Sequence, residues 1–592
     1  MAGNTTPKQP NRFRTVTKYL KGYRTYLILG GIAVLFANGL LLVNPYLTKI
    51  IFDKLENAAP MNEVGLLALA MVGLAAVGGA FRFAMRRTII WMSRKIEYDL
   101  RSELAEHLFK LSASFYDRNR TGDIMARMTN DLEAVRQMVG PAIMQLTNTF
   151  VVATGALTMM IILSPKLTAY SLIPAIVLPV IMHRLGNLIH KKFARIQEHF
   201  SHLTAVTQEN LAGVRVVKAY QQEEAETKNF DGLSQKYLRL NLDLGKLQAM
   251  FLPLIQLVAT GLVLVLLYFG GREVIIGNVE LSTIVAFLLY LGMLVWPLMA
   301  IGWVVSLYQR GTASLDRINN ILNTEPGIQN VGDNLRTERI RGKVELRNLT
   351  FAYDSGESDA KPVLKDISLT LQPGETLGVV GMTGSGKTTL VSLLARLYPV
   401  ERGQLFIDDV DINDWGLAEL RRQVGFAPQE PFLFSSTVAE NIAFGATDSD
   451  RAAIEETAVT AALAKDIDTF PAGYETTVGE RGITLSGGQK QRTAIARAIM
   501  VDPSILVLDD ATASVDMETE YEINQRIHAR TRALTTFIVS HRVASVKDAD
   551  QIIYLQDGTV IEHGTHDELI AQKGHYADLY QSQLLAEEID KL

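Results

Sequence analysis

Six stretches of this chain are too long and too apolar for a water-soluble fold: approximately residues 26–52, 64–85, 137–163, 167–186, 250–271 and 282–308. Crossing a hydrocarbon core of about 30 Å takes roughly 20 mostly apolar residues in helical form, and a helix satisfies its own backbone hydrogen bonds inside lipid. Buried helices of a soluble protein would carry charged faces, which these stretches lack. All six end by about residue 310, so the first half predicts an all-α, six-helix transmembrane domain over 26–310. The third and fourth are separated only by "SPK" (Ser164–Lys166), a tight helical hairpin.

Lys and Arg set the orientation. They crowd the N-terminus (Arg12, Arg14, Lys18, Lys21, Arg24), the connection after the second stretch (Arg86 to Arg127) and the one after the fourth (Lys191 to Lys218). The alternate connections, 53–63, 164–166 and 272–281, offer only Lys54, Lys166 and Arg272. Both termini are therefore expected in the cytoplasm of a multi-pass protein of the cytoplasmic (inner) membrane. Residues 1–25, with "RFRTVTKYLKGYRTYL", read as a basic amphipathic elbow lying on the membrane surface, and no cleavable signal is expected.

The two cytoplasmic connections are long and helical in pattern. Helices of that length carry the chain well beyond the bilayer before it turns back, near Phe115–Ile124 and Gln208–Tyr220, where Gly and polar residues break the apolar period. Central Asp, Glu, Lys and Arg are almost absent from the six stretches, which argues against an ion pump and against a charged channel pore. Asn38, Asn44, Gln145, Asn148, Gln256, Tyr268, Tyr290, Trp296 and Trp303 remain, either for helix packing or to line a cavity for an amphipathic molecule.

Beyond a polar linker at 311–342 the chain becomes an ordinary mixture of charge, Gly and short apolar runs. Lys+Arg 58 against Asp+Glu 63 gives a net charge of −5, so no nucleic-acid partner is expected. Zero cysteines exclude thiol catalysis and cysteine-ligated zinc.

"TLGVVGMTGSGKTTL" (Thr376–Leu390) predicts a strand, a Gly-rich turn and a helix start. Gly381-x-x-x-x-Gly386-Lys387-Thr388 is a complete P-loop, with Thr383, Gly384, Ser385 and Thr389 in or beside the cradle. Its backbone N–H groups can ring phosphate oxygens, Lys387 supplies charge to the β- and γ-phosphates, and the Thr388 hydroxyl can hold Mg²⁺. "ILVLDDATASVD" then ends a buried strand on Asp509, the natural second partner of that magnesium, followed by Asp510, placed to polarise an attacking water. His541 follows another apolar strand. A lone histidine is most often structural, but in a P-loop domain this one is placed to contact the γ-phosphate. "LSGGQKQRTAIARAI" (Leu485–Ile499) is a second anion-binding turn opening a basic helix, and one nucleotide needs only one P-loop.

That segment resembles the signature of ATP-binding cassette (ABC) ATPases, which touches the ATP held by the partner subunit. In that family's terms Ser486, Gly487, Gly488 and Gln489 are the signature, and Tyr353 in "FAY" is the aromatic that stacks on adenine. Gln429 in "GFAPQEPFLF" is the glutamine that senses magnesium. "TTVGERG" (Thr476–Gly482) is the exporter loop, and "ASVD" (Ala513–Asp516) is the loop that crosses between subunits. The resemblance covers Val344 to about Tyr580 and implies an α/β P-loop ABC ATPase domain at 343–580 with a short tail, 581–592. With the six helices before it, the chain resembles a half-transporter of the ABC exporter type, especially subunits of bacterial heterodimeric multidrug exporters. The resemblance implies ATP and Mg²⁺ as cofactors, a second half-transporter as partner, and coupling segments at the two cytoplasmic turns.

Most of the family has Glu where this chain has Asp510, one methylene shorter. In heterodimeric exporters one subunit often carries that Asp and the partner the Glu, so the resemblance implies a slow site on this chain's P-loop and a competent one completed by its intact signature. His541 is retained. A homodimer in which Asp510 reaches the water stays open, as does cargo: hydrophobic or amphipathic compounds, lipid or peptide. An ATP-gated channel or regulatory membrane subunit is the reading from a different class.

Overall fold

The computed structural model describes residues 13–173, 177–330, 335–354, 361–446, 449–479, 482, 484–530 and 534–590. The chain forms two compact units, one built from Met1–Glu106 with Ile124–Asn323, the other from His107–Asp123 with Thr324–Leu592.

The first unit is helical. Among the described residues, Arg24–Glu56, Met61–Lys110, Thr121–Leu163, Gln256–Ile275 and Leu281–Leu322 are long and apolar enough to cross a membrane. The fourth expected span falls on the helices Pro165–Leu172 and Val177–Ala212, and residues 174–176 between them lie outside the described residues. The hairpin at 164–166 has a local cause. Ser164 caps the helix by accepting from the Leu167 N–H, and Pro165 takes the first helical position, where its missing donor is harmless.

The helices are longer than a bilayer crossing needs: the 50 residues of Met61–Lys110 make a rod of roughly 75 Å. The last helix continues to Leu322, into the stretch expected as linker, because Leu315, Ile318 and Ile321 recur at helical spacing and are buried. Of the N-terminal elbow, residues 1–12 lie outside the described residues. Arg14–Gly22 is a helix, held through Thr15 Oγ1 to Asn319 Oδ1 (2.7 Å) and through the Tyr19 hydroxyl to Glu103, while the Tyr23 hydroxyl that follows donates to Asp99.

Two π turns, Arg127–Asp131 and Met138–Ala142, interrupt the third span's helix. Pro141 lies in the second and lacks the N–H that an α-turn needs. The first ends on buried Asp131, which accepts Arg317 Nε at 2.8 Å and Ser314 Oγ at 2.8 Å.

The second unit contains two sheets. β1 (Val344–Phe351), β2 (Leu364–Leu371), β4 (Leu405–Ile407) and β5 (Val410–Asp411) form an antiparallel sheet in the order β2-β1-β4-β5. β3 (Thr376–Gly381), β6 (Val424–Ala427), β7 (Ile505–Asp509), β8 (Thr535–Val539), β9 (Gln551–Gln556) and β10 (Thr559–Gly564) form the other, in the order β10-β9-β3-β8-β7-β6. Only β10 is antiparallel there. The uninterrupted apolar run "ILVL" is explained by this sheet: Ile505 and Val507 face one core while Leu506 and Leu508 face the other.

The two turns expected on the cytoplasmic side differ. The first is a short helix, Ala113–Arg118, and belongs to the second unit: Tyr398 donates to Asp117 Oδ2 at 2.9 Å, and Arg118 pairs with Asp354. The second, the helix Val214–Ala219 after Gly213, stays in the first unit, with Val216 61% and Tyr220 73% exposed.

Candidate active site

Four adjacent parallel strands, β3-β8-β7-β6, bring the expected residues to one edge. The P-loop follows β3, His541 follows β8, Asp509 ends β7 with Asp510 next, and Gln429 follows β6. In open α/β sheets the carboxyl ends of the strands are where ligands bind. Asp509 lies opposite Val539 in register, and the Asp510 N–H donates to the Val539 carbonyl at 2.9 Å, so Asp510 and the His541 loop leave the sheet side by side.

The P-loop has the backbone its glycines permit. Gly386 has a φ of 102°, which an L side chain rarely adopts, and it starts the helix Lys387–Leu394. A Cβ on Gly381 would stand 2.1 Å from the Leu555 carbonyl oxygen, so that position admits no side chain. Lys387 is buried and donates to the carbonyls of Gly381 and Met382, both at 2.8 Å. Burial pushes its ammonium below the ordinary lysine range, while Asp510 and Asp509 pull it back.

The Thr388 hydroxyl donates to Asp509 Oδ1 at 3.1 Å. Burial pushes the Asp509 carboxyl up to about 6; the Thr388 hydrogen bond opposes this and Asp510 adds to it. Gln429 Nε2 donates to Asp510 Oδ2 at 3.4 Å. Asp510 has a φ of 47°, a left-handed conformation that short acidic side chains tolerate better than most. These residues fit a magnesium nucleotide. Thr388, Asp509 and Gln429 would supply hard oxygen donors of the kind magnesium takes, and Ser385 Oγ is buried in the loop without a hydrogen-bond partner among the described residues.

Tyr353 sits edge-on to Phe351 and Tyr398, each centroid 5.1 Å away, and its hydroxyl lies 2.9 Å from Thr389 Oγ1. Beside it opens a cleft of about 340 Å³ lined by Ser114, Asp117, Arg118, Tyr353, Asp354 and Tyr398. The turn at Ala113–Arg118, expected as a coupling segment, thus borders the aromatic expected under adenine.

The signature opens the helix Gly487–Met500 as a capping box: Ser486 Oγ accepts from Gln489 N, and Gln489 Oε1 accepts from Ser486 N at 3.0 Å. Gln489 and Arg492 also bind Asp466, at 3.2 and 2.8 Å. In the exporter loop, Val478 N–H donates to Ser436 O at 2.8 Å, while Glu480 and Arg481 lie outside the described residues. The Ala513–Asp516 loop is held from two sides. Gln491 accepts the Ser514 N–H at 2.7 Å, and Arg542 donates to the carbonyls of Ala513 and Val515 at 3.2 Å each. The sequence did not single out Gln491, Arg542 or Tyr398, nor the pairing of Thr389 with Tyr353. Only Arg542 carried a hint, its place directly after His541.

Residues 27–298 match the family described as ABC transporter transmembrane region, and residues 364–513 match the family described as ABC transporter. The chain is 39% identical over 493 residues to the probable multidrug resistance ABC transporter ATP-binding/permease protein YheI of Bacillus subtilis, covering 83% of each chain. It is 33% identical over 521 residues to the ATP-dependent lipid A-core flippase of Nitrosococcus oceani, covering 88% of this chain and 86% of that one. A bacterial Atm1-family ABC exporter solved with ATP bound superposes with a TM-score of 0.78 at 25% identity, over 95% of this chain and 99% of that one. The chain belongs to the ABC transporter family, as an exporter-type subunit that fuses a helical membrane domain to an ATP-hydrolysing domain.

Proposed function

We propose that this chain is one half of a heterodimeric exporter that drives hydrophobic or amphipathic compounds out across the cytoplasmic membrane, with its own ATP site slow. In this reading Lys387 and the P-loop hold the triphosphate, Tyr353 stacks on adenine, and Thr388, Asp509 and Gln429 hold Mg²⁺, which neutralises charge on the transferred phosphoryl group when bound. Asp510 and His541 hold the attacking water. The partner subunit supplies Glu at the position of Asp510, and the signature Ser486–Gln489 of this chain closes over the partner's ATP. Both termini are cytoplasmic.

The observation that carries the slow site is Asp510 itself. Its short carboxylate is already engaged by Gln429 at 3.4 Å, and a misplacement near 1 Å costs about 10²-fold in rate. Cargo is argued from membrane helices almost without central charge and from the multidrug name of YheI. Lipid is the second reading, favoured by the flippase relative.

Inverted membrane vesicles containing the assembled transporter test the cargo. Export of amphipathic dyes that needs ATP and is lost in Lys387→Ala supports the proposal. ATP-dependent lipid movement with no dye transport overturns it in favour of the flippase reading.

A further inference from the structure

The carboxamide of Gln583, on the C-terminal helix His575–Asp590, spans the loop that carries His541. Its Nε2 donates to the His541 carbonyl at 2.6 Å, and its Oε1 accepts the Val543 N–H at 2.9 Å. One planar amide thus fixes the backbone on both sides of Arg542. That matters because backbone groups two residues apart set the direction of the intervening chain, and with it the exits of both His541 and Arg542.

Arg542 extends the hold. Its guanidinium binds the carbonyls of Ala513 and Val515 and lies 3.6 Å from Glu520, whose other oxygen accepts the Thr512 hydroxyl at 2.7 Å. Ser514, between those carbonyls, donates to Gln491 on the signature helix. A Cβ on Gly488 would come within 3.0 Å of the Ser514 carbonyl oxygen, so the start of that helix rests directly on the loop. A continuous set of hydrogen bonds therefore runs from Gln583 through the His541 loop and Ala513–Asp516 to the signature helix. Its first member is anchored to the domain: the first turn of the same C-terminal helix carries Tyr576, which is fully buried in the core.

We infer that Gln583 is a positioning residue for ATP hydrolysis: it sets the His541 loop and, through Arg542, the Ala513–Asp516 loop. The inference rests on the reading of His541 as a contact of the γ-phosphate. Gln583 touches neither nucleotide nor water, and its effect passes entirely through backbone it holds.

Two variants separate positioning from folding. Gln583→Met keeps the length of the side chain and removes both hydrogen-bonding groups. Gln583→Glu keeps the acceptor for Val543 and sets a carboxylate against the His541 carbonyl. In the full-length chain in lipid, amide exchange over residues 541–546 should quicken at least about five-fold in Gln583→Met, while residues 535–539 and 575–580 stay as in the parent. Unchanged exchange at 541–546 overturns the clamp.

Single-turnover hydrolysis at this chain's own P-loop, measured in the full-length Asp510→Glu chain in lipid so that the slow site turns over, should slow about ten-fold when Gln583→Glu is added, with ATP affinity within about two-fold. In a His541→Ala background the same substitution should add nothing, since the two residues act as one unit. Equal slowing in both backgrounds, or a parental rate in Gln583→Glu, overturns the positioning role. A His541→Ala chain that hydrolyses normally contradicts the reading of His541 instead, and the exchange result stands apart from it.

Discussion

Gln429 Nε2 stands 3.4 Å from Asp510 Oδ2, so the side chain that follows β6 reaches across to the acid that follows β7. In this geometry the glutamine expected to sense magnesium and the carboxylate expected to hold water are already in contact. Gln429→Ala should free Asp510 and weaken the affinity for magnesium, raising the Mg²⁺ concentration for half-maximal nucleotide binding about three- to ten-fold. Titration of Mg²⁺ against a fixed concentration of labelled ATP reads this directly.

Lys387 is the buried cation of the site, held by two loop carbonyls. Lys387→Ala removes charge from the phosphates and leaves those carbonyls without their donor. In the Asp510→Glu chain hydrolysis should fall by about 10²-fold or more, and the nucleotide-free domain of the parent should lose about 1–2 kcal/mol. Phosphate release and thermal unfolding measure the two effects separately.

Asp509 shows the opposite sign for stability. Its folded value is raised to about 6 by burial, so the ionised form works against the folded, nucleotide-free state at neutral pH. Asp509→Asn removes that charge in nearly the same shape. The variant should unfold at higher temperature without nucleotide, by about 1–3 kcal/mol of added stability, yet lose the extra stabilisation that the parent gains from Mg²⁺ and ATP. Thermal melts with and without the pair check both halves.

Tyr398 and Asp117 join the turn Ala113–Arg118 to the ATPase fold by one hydrogen bond at 2.9 Å. Tyr398→Phe deletes that bond and nothing else. Stability should change by less than about 1 kcal/mol, while transport per ATP hydrolysed falls about two- to five-fold. The ratio of dye export to phosphate release in the same vesicles is the measurement.

Arg317 and Asp131 make a forked pair in the membrane-domain unit, with Asp131 buried and the Arg317 side chain about half exposed (49%). Arg317→Ala strands a buried carboxylate, but solvent reaches the pair, so the loss should be about 1–3 kcal/mol. Arg317→Lys should recover only part of it, because an ammonium cannot reproduce the fork. Denaturation in detergent ranks the three proteins.

The membrane spans and the P-loop were legible because both are local. A run of apolar residues or a Gly-rich turn before Lys387-Thr388 declares itself within about 20 residues. Asp509, Asp510 and His541 were legible for a related reason: each stands at the end of an apolar strand, and strand ends are where such sheets bind ligands. Contacts that join distant segments had no such signal. Gln583 is 42 residues from His541, and Tyr398 is 281 from Asp117. Nothing in "YQSQLL" or "LYPV" distinguishes those two side chains from ordinary surface residues until the fold brings the segments together. The last membrane helix ran past its expected end for the converse reason: once polar residues enter a helix, hydropathy fades although helical periodicity continues through Ile321.

The proposed heterodimer rests on a slow ATP site at Asp510. The most direct measurement is the ATPase rate of the full-length chain purified alone in lipid, beside its Asp510→Glu variant. The account predicts near-zero turnover for the parent and a gain of about 10²-fold for Glu, whose added methylene restores the reach to water. Robust turnover by the parent, with little gain from Glu, contradicts it and makes the chain a working homodimer with Asp510 as its catalytic acid.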